Sequence, residues 1–241
     1  MRQSLRIEIS PGNFYDLCSP EPHRLTVRLI AHNLSRINRF AGVPERSISV
    51  AEHSYWASVM VDTSDLPSAQ QAALRRIEAL LHDAPEGCGL ADMASPLKPE
   101  LPEYVNLEAR SADCIGNKFG VDISEKSRAI HDVDCRLGLT EKLTFVSKLG
   151  LDLPEWKGFS ARFKPFRVSW KPKWLDHNIA REPTIYYHWF MWPNRARSLF
   201  IRRFIELANV AFPIVSAPVP QVRYVSPAER ASQNFTYLSV A

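Results

Sequence analysis

Four side chains of metal-ligand type, His53, His82, Asp83 and Asp134, stand on or beside apolar helical stripes. His53 shares a face with Val50, Trp56, Ala57 and Met60 and so points inward; a lone inward histidine is more often a satisfied core residue than a ligand. His82 and Asp83 close a run whose inward stripe is Leu74, Ile77 and Leu81. Chance supplies such a dipeptide readily. In HDVDCRLGLTEK two aspartates compete, and helical geometry separates them. Asp134 shares a face with Ile130, Val133, Leu137 and Glu141, whereas Asp132 lies roughly 200° around the helix from Ile130 and should be solvated. An unpaired carboxylate in an apolar stripe is costly, and a cation is the natural compensation. Two His and two Asp form a nitrogen-and-oxygen set suited to a divalent metal, with Zn, Co, Mn and Mg not distinguished. Such a set leaves positions for water and a substrate oxygen, and a bound metal makes a nucleophile available without Ser or Cys. No GxSxG, P-loop, GxGxxG, HExxH or clustered-Cys pattern competes with it.

The elements that must position these groups are mostly helices. After a turn-rich entry segment, Ile30, Leu34, Ile37 and Ala41 define a first helix ending before Gly42 and Pro44. A second starts at Ser49, an N-cap with Glu52 at the capping-box position, and runs to about Met60. AQQAALRRIEALLHD makes a third, which Pro85 and Gly87 close abruptly. A proline-containing loop, GLADMASPLKPELPEY, leads to helices over 105–119 and 124–149. No convincing alternating strand appears before Phe159. PNRARSLFIRRFIELANVAF is a strongly signalled last helix, with Pro193 suited to its first turn. The fold class is therefore all-α, with an irregular Pro-, aromatic- and Lys/Arg-rich insertion at about 151–192 before the last helix. One domain is expected over 1–210 and an extended tail over 211–241.

Composition narrows the class. At 241 residues, with 45% hydrophobic and 23% charged residues, the chain has the make-up of a globular protein. No apolar run approaches the roughly 20 residues of a membrane span, so no membrane partner is expected. Four cysteines without CxxC spacing argue against a zinc finger or disulfide framework, which makes a reducing cytoplasm the expected location. A net charge of +4 is too mild to point to nucleic acid by itself.

The order His, His-Asp, Asp on successive helices resembles the HD-domain metal-dependent phosphohydrolases. RLIAHNLSRINRFAGVPERSISVAEHSYWAS, LLHDAPEGCGLADMASPLK and DCRLGLTEK are similar to one subgroup in particular, as is the final WPNRARSLFIRRFIELA. That subgroup holds bacterial HD-domain 5'-deoxynucleotidases and phage-type deoxynucleoside triphosphohydrolases acting on dATP. The resemblance covers about residues 10–145 and 192–209. It implies His53, His82, Asp83 and Asp134 as metal ligands, Glu86 beside the reacting water, and Asp92 as a second acid. It further implies Arg39 and Lys98 as phosphate contacts, a nucleotide as the partner, and a homo-oligomer. Water would attack the α-phosphorus, giving nucleoside and tripolyphosphate from a triphosphate or orthophosphate from a monophosphate. Two departures stand out: Pro85 replaces a helix-compatible residue, and Ala91 stands where relatives often carry Gly before the aspartate. His32 reads as structural or substrate-proximal, not as a fifth ligand.

WKGFSARFKPFRVSWKPKW, over 156–174, interleaves Lys and Arg with Phe and Trp. Stacked bases with cations on phosphates would hold a single strand, which keeps an HD-type nuclease or nucleic-acid binder as a rival. The alternative is that the aromatics pack this insertion onto the core while the cations face water. Closing the pocket or joining subunits is a third use.

Overall fold

The computed structural model describes residues 4–148, 151, 153–169, 184–187 and 191–213. Seven α-helices carry the described fold: α1 (Val27–Leu34), α2 (Val50–Met60), α3 (Ala69–Leu81), α4 (Pro102–Phe119), α5 (Arg128–Glu141), α6 (Pro154–Arg162) and α7 (Pro193–Ala211). The protein is mainly α-helical, as the periodicity indicated. Thr26, Ser49, Ser68 and Ser127 cap α1, α2, α3 and α5 with their side-chain oxygens, satisfying amide groups that a helix start leaves unpaired.

The centre of the bundle is α2. Most of its residues are buried, polar ones included, with Val59 the exposed one, so neighbours must cover most of its surface. Those neighbours are α3, α5 and α7. Leu34, Ile77, Leu80, Leu81, Ile115 and Phe200 form the larger core, and Trp56, Val133, Leu137, Phe166 and Tyr187 a second one on the α5 side. Each fully buried Leu or Ile contributes about 1.5–3 kcal/mol relative to exposure.

Several elements differ from expectation. Strands β1 (Arg6–Ser10) and β2 (Asn13–Asp16) pair antiparallel where no strand was expected. Alternation over so few residues is weak, and the stronger signal was Pro11-Gly12, whose glycine turns the chain at φ +74°. The first helix stops at Leu34 instead of 41. Ile37 O accepts from Val50 N and Arg39 N donates to Ile48 O, so residues 37–39 pair with the strand-like lead into α2. Phe40 and Ala41 then take left-handed conformations at φ 55° and 50°. The loop before α4 contains a 3-10 turn, Ser95–Glu100, and α4 begins at Pro102. Beyond Glu141 the chain widens into a π-helical turn, Lys142–Val146.

The insertion also holds more order than its composition indicated: α6, and β3 (Arg167–Ser169) paired parallel with β4 (Thr184–Tyr186). Phe163 and Phe166 are buried, and Arg136 lies 3.9 Å over the Phe166 ring. Trp156, Phe159 and Phe163 stack edge-on or tilted along one row, with Lys142 Nζ 5.4 Å from the Trp156 ring. These aromatics are engaged with the protein itself. Residues 170–174 of the basic stretch and 214–241 of the expected tail lie outside the described residues. Among the described residues no helix is long and apolar enough to cross a membrane, and all four cysteines are free thiols.

Candidate metal centre

His53 reaches the centre because α2 is covered over most of its surface; it is fully buried. His82 and Asp83 arrive through the end of α3. Pro85 has no amide hydrogen to give Leu81 O and its ring would clash with that carbonyl, so the helix ends at Leu81. His82 keeps helical angles as the C-cap, while Asp83, at φ −105° and ψ 13°, turns out of the helix. Asp134 comes from the second turn of α5; Asp132, two residues earlier, is exposed as the helical arithmetic requires.

One ligand atom from each of His53, His82, Asp83 and Asp134 lies within 4.8 Å of the others. His53 Nε2 is 3.1 Å from Asp134 Oδ1 and 3.7 Å from Asp83 Oδ2. His82 Nε2 is 3.0 Å from Asp83 Oδ2 and 3.6 Å from Asp134 Oδ1. The outer nitrogens are both engaged: His82 Nδ1–H donates to Ala79 O at 2.8 Å, and His53 Nδ1–H to Glu141 Oε1 at 2.9 Å. A proton fixed on each Nδ1 makes each Nε2 the nitrogen whose lone pair, once its own proton has left, faces the cluster, the arrangement a metal-binding histidine uses. His82 Nε2 is buried and meets no hydrogen-bond geometry. Two imidazole nitrogens and two carboxylates so directed fit a divalent ion.

Charge around the cluster is balanced by cations that the sequence did not bring together with it. Lys126 Nζ is 2.6 Å from Asp134 Oδ2 and 3.6 Å from Asp83 Oδ1. Burial alone would raise the Asp134 carboxyl; Lys126, then His53 and His82, outweigh it and hold it well below its ordinary range. Burial and Arg39 push the His53 imidazolium down, but Glu141 and Asp134 bring it up to about 9. Glu141, fully buried, also accepts from Arg39 Nε at 2.8 Å. Sequence reasoning placed Glu141 on the inward face of α5 and gave it no role. The signal was there: an acid seven residues after Asp134 on the same stripe. Nothing local marks Lys126, which precedes the helix cap.

Of the resemblance-derived residues, Arg39 meets the cluster directly. Arg39 Nη1 is 3.7 Å from Asp83 Oδ2, and the ladder to Ile48 sets its backbone. Glu86 sits in the 3-10 turn Ala84–Cys88 and is buried, so Pro85 does not turn it out to solvent. Burial first, then Asp83 and Asp92, push its carboxyl well above its ordinary value, against Arg39 and Lys98. Its Oε2 has no hydrogen-bond partner. The Asp92 carboxyl is raised by burial, with Arg39 and His53 pulling it down and Asp83 and Glu141 pushing it up. Ala91 takes φ 60°, the left-handed conformation that glycine adopts freely, and its carbonyl accepts from Tyr104 Oη at 3.0 Å. Lys98 pairs with Glu108 at 2.7 Å. The loop is pinned to the hairpin side: Asn33 Nδ2 donates to both Ile9 O and Gly87 O. At Gly89, φ +99°, a Cβ would come within 2.8 Å of Ile7 Cγ2.

No protein-family model matches the chain. Similar proteins include an uncharacterized protein of Rhodobacter capsulatus, 33% identical over 113 residues, which is 46% of this chain and 56% of that protein. The uncharacterized protein YfdR of Escherichia coli is 34% identical over 108 residues, 45% of this chain and 53% of its own length. The match therefore spans about half the length of each relative, and neither name carries an activity. Fold and cluster together define a mainly helical protein with a buried His/Asp group able to hold a metal ion, compatible with an HD-type fold.

Proposed function

We propose that the protein is a divalent-metal-dependent phosphohydrolase that converts a deoxynucleoside triphosphate, dATP-like, to nucleoside and tripolyphosphate. The observation that carries this reading is the convergence of the Nε2 atoms of His53 and His82 with Asp83 and Asp134 inside 4.8 Å. An ion held there would polarise a phosphoryl oxygen and make water more acidic. The chain's own groups supply the remainder. Arg39, fixed by Glu141, keeps guanidinium N–H groups for phosphate oxygens, and Lys98 adds charge on the Glu86 side. Burial, then Asp83 and Asp92, favour the protonated form of Glu86, which suits it to protonate the departing 5'-oxygen. Asp92 is the second proton-handling group.

One observation favours a monophosphate substrate, and with it 5'-deoxynucleotidase activity. Arg39 and Lys98 are each already paired to a carboxylate, which leaves limited positive charge for two further phosphates. A nuclease using the 157–174 stretch is less favoured, because Phe163 and Phe166 are committed to packing. The deciding experiment incubates the chain with Mg, Mn, Co or Zn and a panel of dNTPs, dNMPs and oligonucleotides. Chromatography then identifies tripolyphosphate, orthophosphate or cleaved strands. Absence of hydrolysis with every metal defeats the enzyme reading.

A further inference from the structure

On one side of α1, residues of α1 and α7 with Ser10 and Pro11 of the β1–β2 turn line an open groove of about 780 Å3. His32 lines this wall, which resolves its position: it is no ligand of the metal cluster. Arg36 Nη1 stands 3.2 Å from His32 Nδ1, and Arg197 Nη1 stands 3.4 Å from the same atom. One imidazole lone pair satisfies one donor well, and two guanidinium charges held on it repel each other. Arg28 and Arg202 line the same groove. Its acid, Glu206, reaches instead toward Arg203, at 3.8 Å.

Several cations elsewhere in the chain hold a carboxylate. Arg39 has Glu141, Lys98 has Glu108, Lys126 has Asp134 and Arg75 has Asp65. Among the described residues Arg28, Arg36, Arg197 and Arg202 have no carboxylate partner. Arg28, Arg197 and Arg202 line one concavity from α1 and α7, and Arg36, just beyond α1, meets Arg197 at His32 on its edge. Guanidinium groups so gathered match a phosphate, which accepts their N–H groups in pairs. Leu29, Ile201 and Ile205, the last 51% exposed, add apolar lining. The volume falls in the range of small-ligand pockets and exceeds what a bare phosphate fills.

We propose that the α1–α7 groove binds a small phosphomonoester with an apolar or aromatic body, the phosphate on Arg36 and Arg197 and the body against Leu29, Ile201 and Ile205. This site is separate from the metal cluster and independent of its chemistry. The test is isothermal titration of the full chain in excess EDTA with inorganic phosphate and with 1-naphthyl phosphate. Expected are saturable one-to-one binding and tighter binding of the naphthyl ester. Affinity should fall about tenfold or more in R36A and in R197A, the loss that follows removal of one charge-assisted pair. D134A should bind as the parent does. Should R197A fail to fold, R202A, at an exposed position, carries the same expectation. Equal affinity in parent and arginine variants, or binding of neither probe, overturns the proposal. So does binding of a short oligodeoxynucleotide without either small phosphate, which would make the groove part of a nucleic-acid surface.

Discussion

Glu141→Gln isolates the most informative contact in the metal centre. The carboxylate accepts from two donors at once, His53 Nδ1–H at 2.9 Å and Arg39 Nε–H at 2.8 Å, and all of it is buried. Glutamine keeps the shape but offers one oxygen and one amino group. If the oxygen serves Arg39, the amino group meets His53 Nδ1, which must then accept; the ring proton moves to Nε2 and the lone pair directed at the metal is lost. If the oxygen serves His53, Arg39 keeps only its 3.7 Å approach to Asp83. Removing a partner of this kind lowers metal affinity about 10- to 100-fold, equivalent to about 1.4–2.8 kcal/mol. A competition titration against a chromophoric chelator measures it, with far-UV circular dichroism to show that the helices persist. Metal affinity within about twofold of the parent together with unchanged turnover in a folded variant would refute the shared-acceptor argument, because the amide cannot satisfy both His53 and Arg39.

Asp134→Ala should abolish both bound metal and turnover; full activity would remove Asp134 from the ligand set. In metal-free protein His53, raised to about 9 from an unfolded value of about 6.5, stabilises the fold fully below pH 6.5, and this is lost as pH climbs through 9. Glu52, raised by burial to about 7, works in the same direction. Denaturation midpoints in chelator should therefore fall from pH 6 to pH 9, and a rise would contradict the assignment. Metal binding displaces the His53 proton, so apparent affinity should instead increase with pH, by about tenfold per unit below 9 for one proton. Ala91→Gly should stabilise the protein by about 1 kcal/mol, since the left-handed φ of 60° is relieved. That is a gain of about 2–4 °C in a thermal melt, and a loss would mean that the alanine methyl packs productively.

The sequence made the candidate metal cluster legible because each of its four residues sits on or beside a periodic apolar stripe, and burial of a charge is visible wherever the period is clear. The cap at Ser49 marked the start of α2, and Pro85 marked the end of α3 at the point where Asp83 turns away, whereas α5 starts at Arg128 behind the Ser127 cap and not at 124. What escaped was non-local. The end of α1 is decided by pairing of residues 37–39 with 48–50, not by anything in LSRINRFAG. Glu141 meets His53 across 88 positions, and Lys126 meets Asp134 only because the chain folds back before Ser127. Such pairings leave no periodic trace, so single-sequence patterns miss them. The same limit left Arg36 and Arg197 unconnected.

The ribbon of residues 6–16 carries no catalytic-type chemistry, yet Ile7 covers Gly89 and the Ile9 carbonyl shares the Asn33 amide with Gly87. A saturation mutagenesis screen scored on turnover would therefore flag Ile7 and Asn33 alongside the ligands. Such hits would report the aim of the Glu86 loop: the helices beneath would still assemble, and the acid would be held over the wrong spot.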